Sequence, residues 1–144
     1  MKKTSLRQNV KNENRKWFVV DANGKNLGKL AVEIAKILRG KNRVDFTPHV
    51  DGGDFVIVLN SEKIAVSGQK EAQKKYYRHS GFIGNLKTEN LAAVRKKNPV
   101  RILHDAVSGM LAKNRHRKNQ LRRFFCIIGE KNPHAAQKPE ILKF

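Results

Sequence analysis

Hydrophobic positions along the chain change their period, and each change marks an element. Trp17-Phe18-Val19-Val20 is a short apolar run that predicts a buried strand, and Asp21-Ala22-Asn23-Gly24 predicts the turn that ends it. From Leu27 to Arg39 the spacing becomes helical. Leu27, Leu30, Ile34 and Leu38, with Ala31, Ala35 and Ile37 beside them, make one apolar face, while Lys29, Lys36 and Arg39 fall largely on the other. Gly40 stands where a left-handed cap would stop this helix. Strand, turn and helix in this order open an α/β domain.

After a loop holding Pro48 and Gly52-Gly53, Phe55 to Leu59 is almost continuously apolar, the pattern of a strand covered on both faces. Lys63-Ile64-Ala65-Val66 predicts a second short strand, closed by Ser67-Gly68. Gln69 to His79 is compatible with a helix but mostly polar, so it reads as a solvated or partner-facing segment rather than core. Thr88 is the expected cap of a helix over Glu89 to Lys97, and Pro99 can open the next helix at its first turn. There Val100, Leu103, Val107 and Met110 or Leu111 recur at helical spacing. Gly109 interrupts the pattern at a cost of roughly 1 kcal/mol relative to Ala, which leaves a close backbone approach open as its reason. Phe124 to Ile128 predicts a last strand, and the tail from Gly129, with Pro133 and Pro139, is expected to wrap the domain as irregular chain. The organisation is a basic flexible arm over 1–16 and a single domain over 17–144.

Charge changes the picture. The chain carries 31 Lys and Arg against 12 Asp and Glu, a formal +19 on 144 residues. Self-repulsion of that size opposes compaction, so a polyanion is the expected neighbour, and nucleic acid is the first candidate because neutralised phosphates release counterions. The densest stretch is Lys113 to Arg123, where Lys113, Arg115, Arg117, Lys118, Arg122 and Arg123 surround His116 with no acidic residue. It lacks the large apolar anchors of a membrane-surface helix, and no run approaches the ~20 apolar residues that span a bilayer. No signal-peptide pattern follows the basic start, which makes a cytoplasmic chain the default; a transit segment has a similar start. The lone Cys126 excludes an internal disulfide and a multi-cysteine metal site, and its apolar surroundings read as those of a small buried hydrophobe.

Candidate chemistry is sparse. Gly24 and Gly28 flank three residues at a strand-to-helix turn, whereas a nucleotide phosphate loop needs four, then Lys and Ser or Thr. The turn could still set backbone N–H groups and Lys25 or Lys29 against a nucleic-acid phosphate, or its glycines could serve the backbone alone. His49, Asp51 and Asp54 loosely resemble a hydrolytic cluster, but a structured turn leading into a strand accounts for them more simply. Metal chemistry would need a further donor. His104 beside Asp105 reads as a partly buried polar residue. Tyr76-Tyr77-Arg78-His79, after Lys74 and Lys75, interleaves cations with flat rings that can stack on bases; alternatively one tyrosine packs inward while the lysines stay solvated.

Several stretches together resemble the large-subunit ribosomal protein thirteen family. They are Trp17 to Ala22, Leu27-Gly28-Lys29-Leu30-Ala31, Leu38-Arg39-Gly40-Lys41, Thr47-Pro48-His49, Gly53 to Val58, Lys74 to Gly81, Ala106 to Leu111, and Asn132 to Pro139. The resemblance implies a three-layer α/β/α fold around a small, mainly parallel four-stranded sheet. It implies a structural constituent of the large ribosomal subunit that binds large-subunit ribosomal RNA, supports assembly and sits beside neighbouring subunit proteins. No catalytic residue, metal, cofactor, small-molecule substrate or membrane is implied, and the location is the cytoplasmic ribosome, with an organellar ribosome left open. The expected RNA contacts are Lys29, Lys41, Lys74, Lys75, Tyr77, Arg78, His79, Lys113, Arg115, Arg117, Lys118, Arg122 and Arg123. This chain departs from the family at Ala112, where Pro is common, in the glycine missing from Asn114 to Lys118, and at Asn132, where His is common. An RNA-processing enzyme using His49 or Asp54, and a free nucleic-acid-binding regulator, are the competing readings.

Overall fold

In the computed structural model, which describes Val10 and residues 15–142, the first apolar run forms β1, Trp17–Asp21. Period-two alternation sends Phe18 and Val20 to the core and Trp17 and Val19 to the opposite face. α1 spans Leu27–Arg39, the bounds its hydrophobic spacing predicts. The Asn26 side chain accepts from the Gly28 N–H at 3.0 Å, satisfying a first-turn donor that has no intrahelical partner. Gly40, at φ 80°, ends the helix, with its own N–H donating to the Ile37 carbonyl and that of Lys41 to the Lys36 carbonyl. A Cβ on Gly40 would also sit 3.0 Å from the Gly52 carbonyl, so space and dihedral both require glycine there.

β2, Phe55–Leu59, lies between β1 and β5, Phe124–Cys126, and the two-residue β6, Glu140–Ile141, adds to the far side of β1. All three pairings are parallel, in the order β5-β2-β1-β6. The chain moves one way across the sheet from β1 to β5 and then returns to β6. Right-handed crossovers therefore place the helices between β1 and β5 on one face and the return segment 127–139 on the other. Packing agrees. Phe18, Val20, Val56, Val58 and Phe124 share a core with Leu30, Ile34 and Leu38 of α1 and with Leu103 and Val107 of α4, Pro99–Met110. Opposite, Trp17 stacks on Phe55 with ring centroids 4.1 Å apart, and Phe125 meets His134 of the return segment at 4.6 Å. The fold is thus a small parallel sheet flanked by helices, with a thin second layer that contains one 3-10 turn, Ala135–Gln137.

Elsewhere local pairing overrode the sequence pattern. Lys63 to Val66 is not a strand. Ser61–Lys63 turns as a 3-10 helix after Asn60 at φ 54°, and only Ala65 keeps a bridge, to Asn26. Ile64 is buried beneath this turn, so its apolar character reports core packing rather than a sheet. Gln69 to His79 divides into the single turn α2, Lys70–Gln73, and β3, Lys75–His79. β3 pairs antiparallel with β4, Leu86–Asn90, which takes Thr88 into the ladder opposite Tyr77. The cap of α3, Leu91–Lys97, consequently falls to Asn90, whose side chain accepts from the Ala93 N–H at 3.0 Å. Pro99 opens α4 as expected, and a Cβ on Gly109 would meet nothing within 4 Å, so no close approach explains that glycine. Most of the arm expected over 1–16 lies outside the described residues; Arg15 and Lys16, its last two, are held by the domain.

Candidate nucleic-acid interface

The scarce carboxylates are engaged in structural contacts. Asp54, 1% exposed, takes a two-pronged contact from Arg43, with Nε at 2.9 Å from Oδ2, and also accepts from the Lys16 N–H at 3.0 Å. Asp51 holds Arg123 in the same forked manner, one prong at 2.7 Å, and lies 4.0 Å from Arg15. The Arg43 fork closes the 41–54 loop on itself and the Arg123 fork ties it to the chain entering β5, which commits both carboxylates to structure and answers the hydrolytic reading of His49, Asp51 and Asp54. Asp54 also raises the pKa of Arg43. Glu71 holds Arg95 at 2.8 Å, Glu89 pairs with Lys97, and Asp105 with Arg101 at 3.1 Å. Asp21, bonded by the Asn60 amide and the Asn23 N–H, is held below the usual carboxylate range.

Against this, most of the basic run after α4 has no acidic partner among the described residues. Among the described residues, no salt bridge involves Lys113, Arg115, Lys118 or Arg122, and all four side chains are exposed. They flank and decorate α5, His116–Leu121, whose inward side is Gln120 with the half-buried Leu121. Lys118 and Arg122 stand four residues apart, where like charges oppose a helix by a few tenths of a kcal/mol. Arg117 is different: half-buried, it donates to the Ser108 hydroxyl and ties α5 to α4. Arg123 is a correction. Expected on the RNA-facing surface, it is 6% exposed, and its guanidinium is committed to Asp51 and the Leu38 carbonyl.

The second cationic element is the β3–β4 hairpin. Its strands pair Lys75 with Asn90, Tyr77 with Thr88, Arg78 with Lys87 and His79 with Leu86. Tyr76 turns inward, half-buried, with Lys74 Nζ 5.4 Å and the Arg101 guanidinium 5.9 Å from its ring centre; burial raises its hydroxyl pKa. Lys75, Tyr77, Arg78 and His79 are exposed. One tyrosine therefore packs inward while its neighbour faces solvent, as period-two geometry demands.

Lys29, in the first turn of α1, and Lys41, two residues past its end, are both exposed; the helix from residue 29 to 39 alone spans about 15 Å at 1.5 Å per residue. Lys41 lines a shallow groove with Lys36, Arg39 and Met110, which carries the cationic surface of α1 toward the end of α4. Of the groove's cations, Lys36 is ion-paired to Glu33 at 2.7 Å. Nothing in the local sequence of Lys87 shows that it stands across from Arg78, a placement that only the strand pairing reveals. No group of three or more His, Cys, Asp or Glu among the described residues could hold a metal ion, and none of their helices is long and apolar enough to cross a membrane.

Comparison with known proteins decides the family: the model for Ribosomal protein L13 matches residues 15–133. The chain belongs to the ribosomal protein L13 family. The large ribosomal subunit protein uL13 of Clostridioides difficile (strain 630) is 52% identical over 130 residues, covering 90% of this chain and 91% of the relative. That of Symbiobacterium thermophilum is 50% identical over 143 residues, covering 99% of each. That of Mesoplasma florum is 45% identical over 144 residues, covering 100% of this chain and 95% of the relative. L13 is a family of ribosomal structural proteins, not of enzymes. The L13 match begins at Arg15, the residue whose side chain enters the buried Asp51 cluster.

Proposed function

We propose that this L13-family chain binds large-subunit ribosomal RNA, supports assembly of the subunit and stays in it as a structural constituent beside neighbouring proteins. One observation carries the reading: most carboxylates of the described residues are engaged in internal contacts, while Lys113, Arg115, Lys118 and Arg122 around α5 have no ion pair. A +19 domain with its acids so committed presents an unneutralised cationic surface, and RNA phosphate is the polyanion that offsets it. Lys113, Arg115, Lys118 and Arg122 give phosphate affinity without reading sequence. The hairpin cations Lys75 and Arg78, Lys74 at its base, Lys29 on α1 and Lys41 just past its end extend the contact.

The experiment is filter binding of the full chain to protein-free large-subunit ribosomal RNA over a potassium chloride series. Arg117 is left in place because it joins α5 to α4. The Arg115→Ala, Lys118→Ala, Arg122→Ala triple variant should keep its thermal unfolding midpoint and bind more weakly. Each phosphate contact contributes roughly 0.7 to 0.9 to the slope of log K against log salt, so three should lower it by about 2 to 3. An unchanged affinity and slope would refute the assignment of α5 to RNA.

A further inference from the structure

The β3–β4 hairpin carries rings and apolar groups that phosphate binding leaves unexplained. Strand alternation sends Lys75, Tyr77 and His79 to its outward face, with Leu86 and Thr88 beside them from β4. Tyr77 is 61% exposed and Leu86 56%. The connecting turn, bent by Gly81 and Gly84 at positive φ, holds up Phe82 and Ile83, which are 74% and 105% exposed. Large side chains left in water on a two-stranded ribbon mark a contact surface, because such a ribbon gains little stability from them.

Ring geometry narrows the partner. Tyr77 and His79 are two residues apart on one strand, which puts their Cα atoms about 6.7 Å apart. That is close to twice the ~3.4 Å step between stacked bases. His79 is held locally, because its Nδ1 accepts the Gly81 N–H at 3.0 Å. Cations border the rings, with Lys75 on the same face and Arg78 directly opposite Lys87 on the other. A cross-strand cation pair destabilises a hairpin by itself, so this charge pattern suits an anionic partner.

We propose that the outward face of this hairpin is a stacking platform for unpaired nucleotides of large-subunit ribosomal RNA, with Tyr77 and His79 as its rings and Phe82 as an apolar wedge at its tip. The platform rests on the RNA-binding reading above and adds to it the class of RNA element recognised. Paired RNA hides its base faces, whereas unpaired bases expose them to aromatic side chains.

The test compares Tyr77→Ala, Tyr77→Phe and Tyr77→Trp full-length chains on protein-free large-subunit ribosomal RNA. Base–aromatic stacking is worth about 1–3 kcal/mol per base, so Tyr77→Ala should lose about 5- to 140-fold in affinity with its salt slope unchanged. Tyr77→Phe keeps the ring and should bind within about twofold of wild type. The new indole of Tyr77→Trp should be quenched by the RNA, and a single-stranded oligoadenylate should reverse the quench while an RNA duplex of equal length does not. Wild-type affinity in Tyr77→Ala overturns the platform, including the case where that variant binds RNA but fails to enter subunits, which makes the hairpin a protein contact. Equal competition by duplex and single strand also overturns it, reducing the hairpin to a phosphate contact. Failure of the wild-type chain to bind the RNA overturns the broader reading as well, which separates the two failures.

Discussion

Replacing Asp51 by alanine should test the division between structural and RNA-facing cations. Arg123 and Arg15 have side chains 7% and 5% exposed, and Asp51 is the carboxylate that faces both. Its loss removes the forked contact to Arg123, leaving that guanidinium with the Leu38 carbonyl at 3.3 Å. Arg15 keeps backbone carbonyls, those of Gly53 and residue 51, the latter at 2.8 Å. A buried cation stripped of its counter-ion typically costs 3–5 kcal/mol, and each charge-assisted bond lost accounts for about 1.5–3 of that. Taking the middle of that range, about 4 kcal/mol, and an m-value near 2 kcal/mol/M, the urea midpoint should fall by about 2 M. Such a loss is a large part of the roughly 5–15 kcal/mol that holds a domain folded. Urea unfolding followed by far-UV circular dichroism reads the shift. Arg123→Met, which removes the cation instead, should cost less, because Asp51 is the more exposed partner and keeps Arg15. The double variant should be less damaged than the sum of the two. Arg123→Met should also retain the wild-type salt slope for RNA. A midpoint shift under about 0.5 M for Asp51→Ala, or a reduced RNA slope for Arg123→Met, would refute the reasoning.

Two glycines should respond in opposite senses in the same assay. A Cβ on Gly53 would overlap the Leu38 carbonyl, so Gly53→Ala must displace the α1 end from the 52–54 turn and should cost several kcal/mol, or about 3 as a core-clash value. Gly109→Ala fills open space on a helix and should raise stability by up to about 1 kcal/mol; a fall would show a constraint that the fold does not explain. Burial pushes the Cys126 thiol up to about 12, so the folded chain should resist iodoacetamide at pH 8 and react once unfolded in urea. The sign follows: a raised thiol adds stability below its unfolded value near 9, and that contribution is lost as pH climbs toward 12. Rapid alkylation of the folded chain would contradict the buried thiol.

What was legible in the sequence was what local periodicity controls. The thirteen residues of α1, its Gly40 cap, and the buried strand at Phe55 need only side-chain spacing and one left-handed residue. The hairpin was not legible, because β3 and β4 have no apolar face of their own and exist through pairing with each other. Thr88 shows the consequence: an apparent helix cap became a ladder residue, and the role passed to Asn90. β6 escaped notice for a similar reason, since two residues at the edge of a sheet leave no period to detect. The cationic surface was legible as a composition and a run, but its membership was not. Arg123 lies one residue from Arg122 in the chain and on the other side of the solvent boundary in the fold.

That boundary sets what each arginine does. Arg122 and Arg123 carry the same guanidinium, yet only Arg123 meets a carboxylate, because α5 ends where β5 begins and the chain turns its next side chain toward Asp51. The same rule separates Arg43, forked onto Asp54 in the loop, from Lys41 two residues earlier in the open groove. In a chain with 31 basic and 12 acidic side chains, only a minority of cations can find an internal partner. Placing paired acids at the 41–54 loop, in α2, along the β4-to-α4 side and at Glu33 of α1 therefore constrains by subtraction where the unneutralised charge falls. It falls around α5, on the outer side of the hairpin, and at Lys29 and Lys41 near the two ends of α1. Fold stability and the proposed RNA affinity are then two expected results of one allocation: moving an acid from Asp51 to the α5 surface should weaken the first by unpairing a buried arginine and the second by neutralising an exposed one.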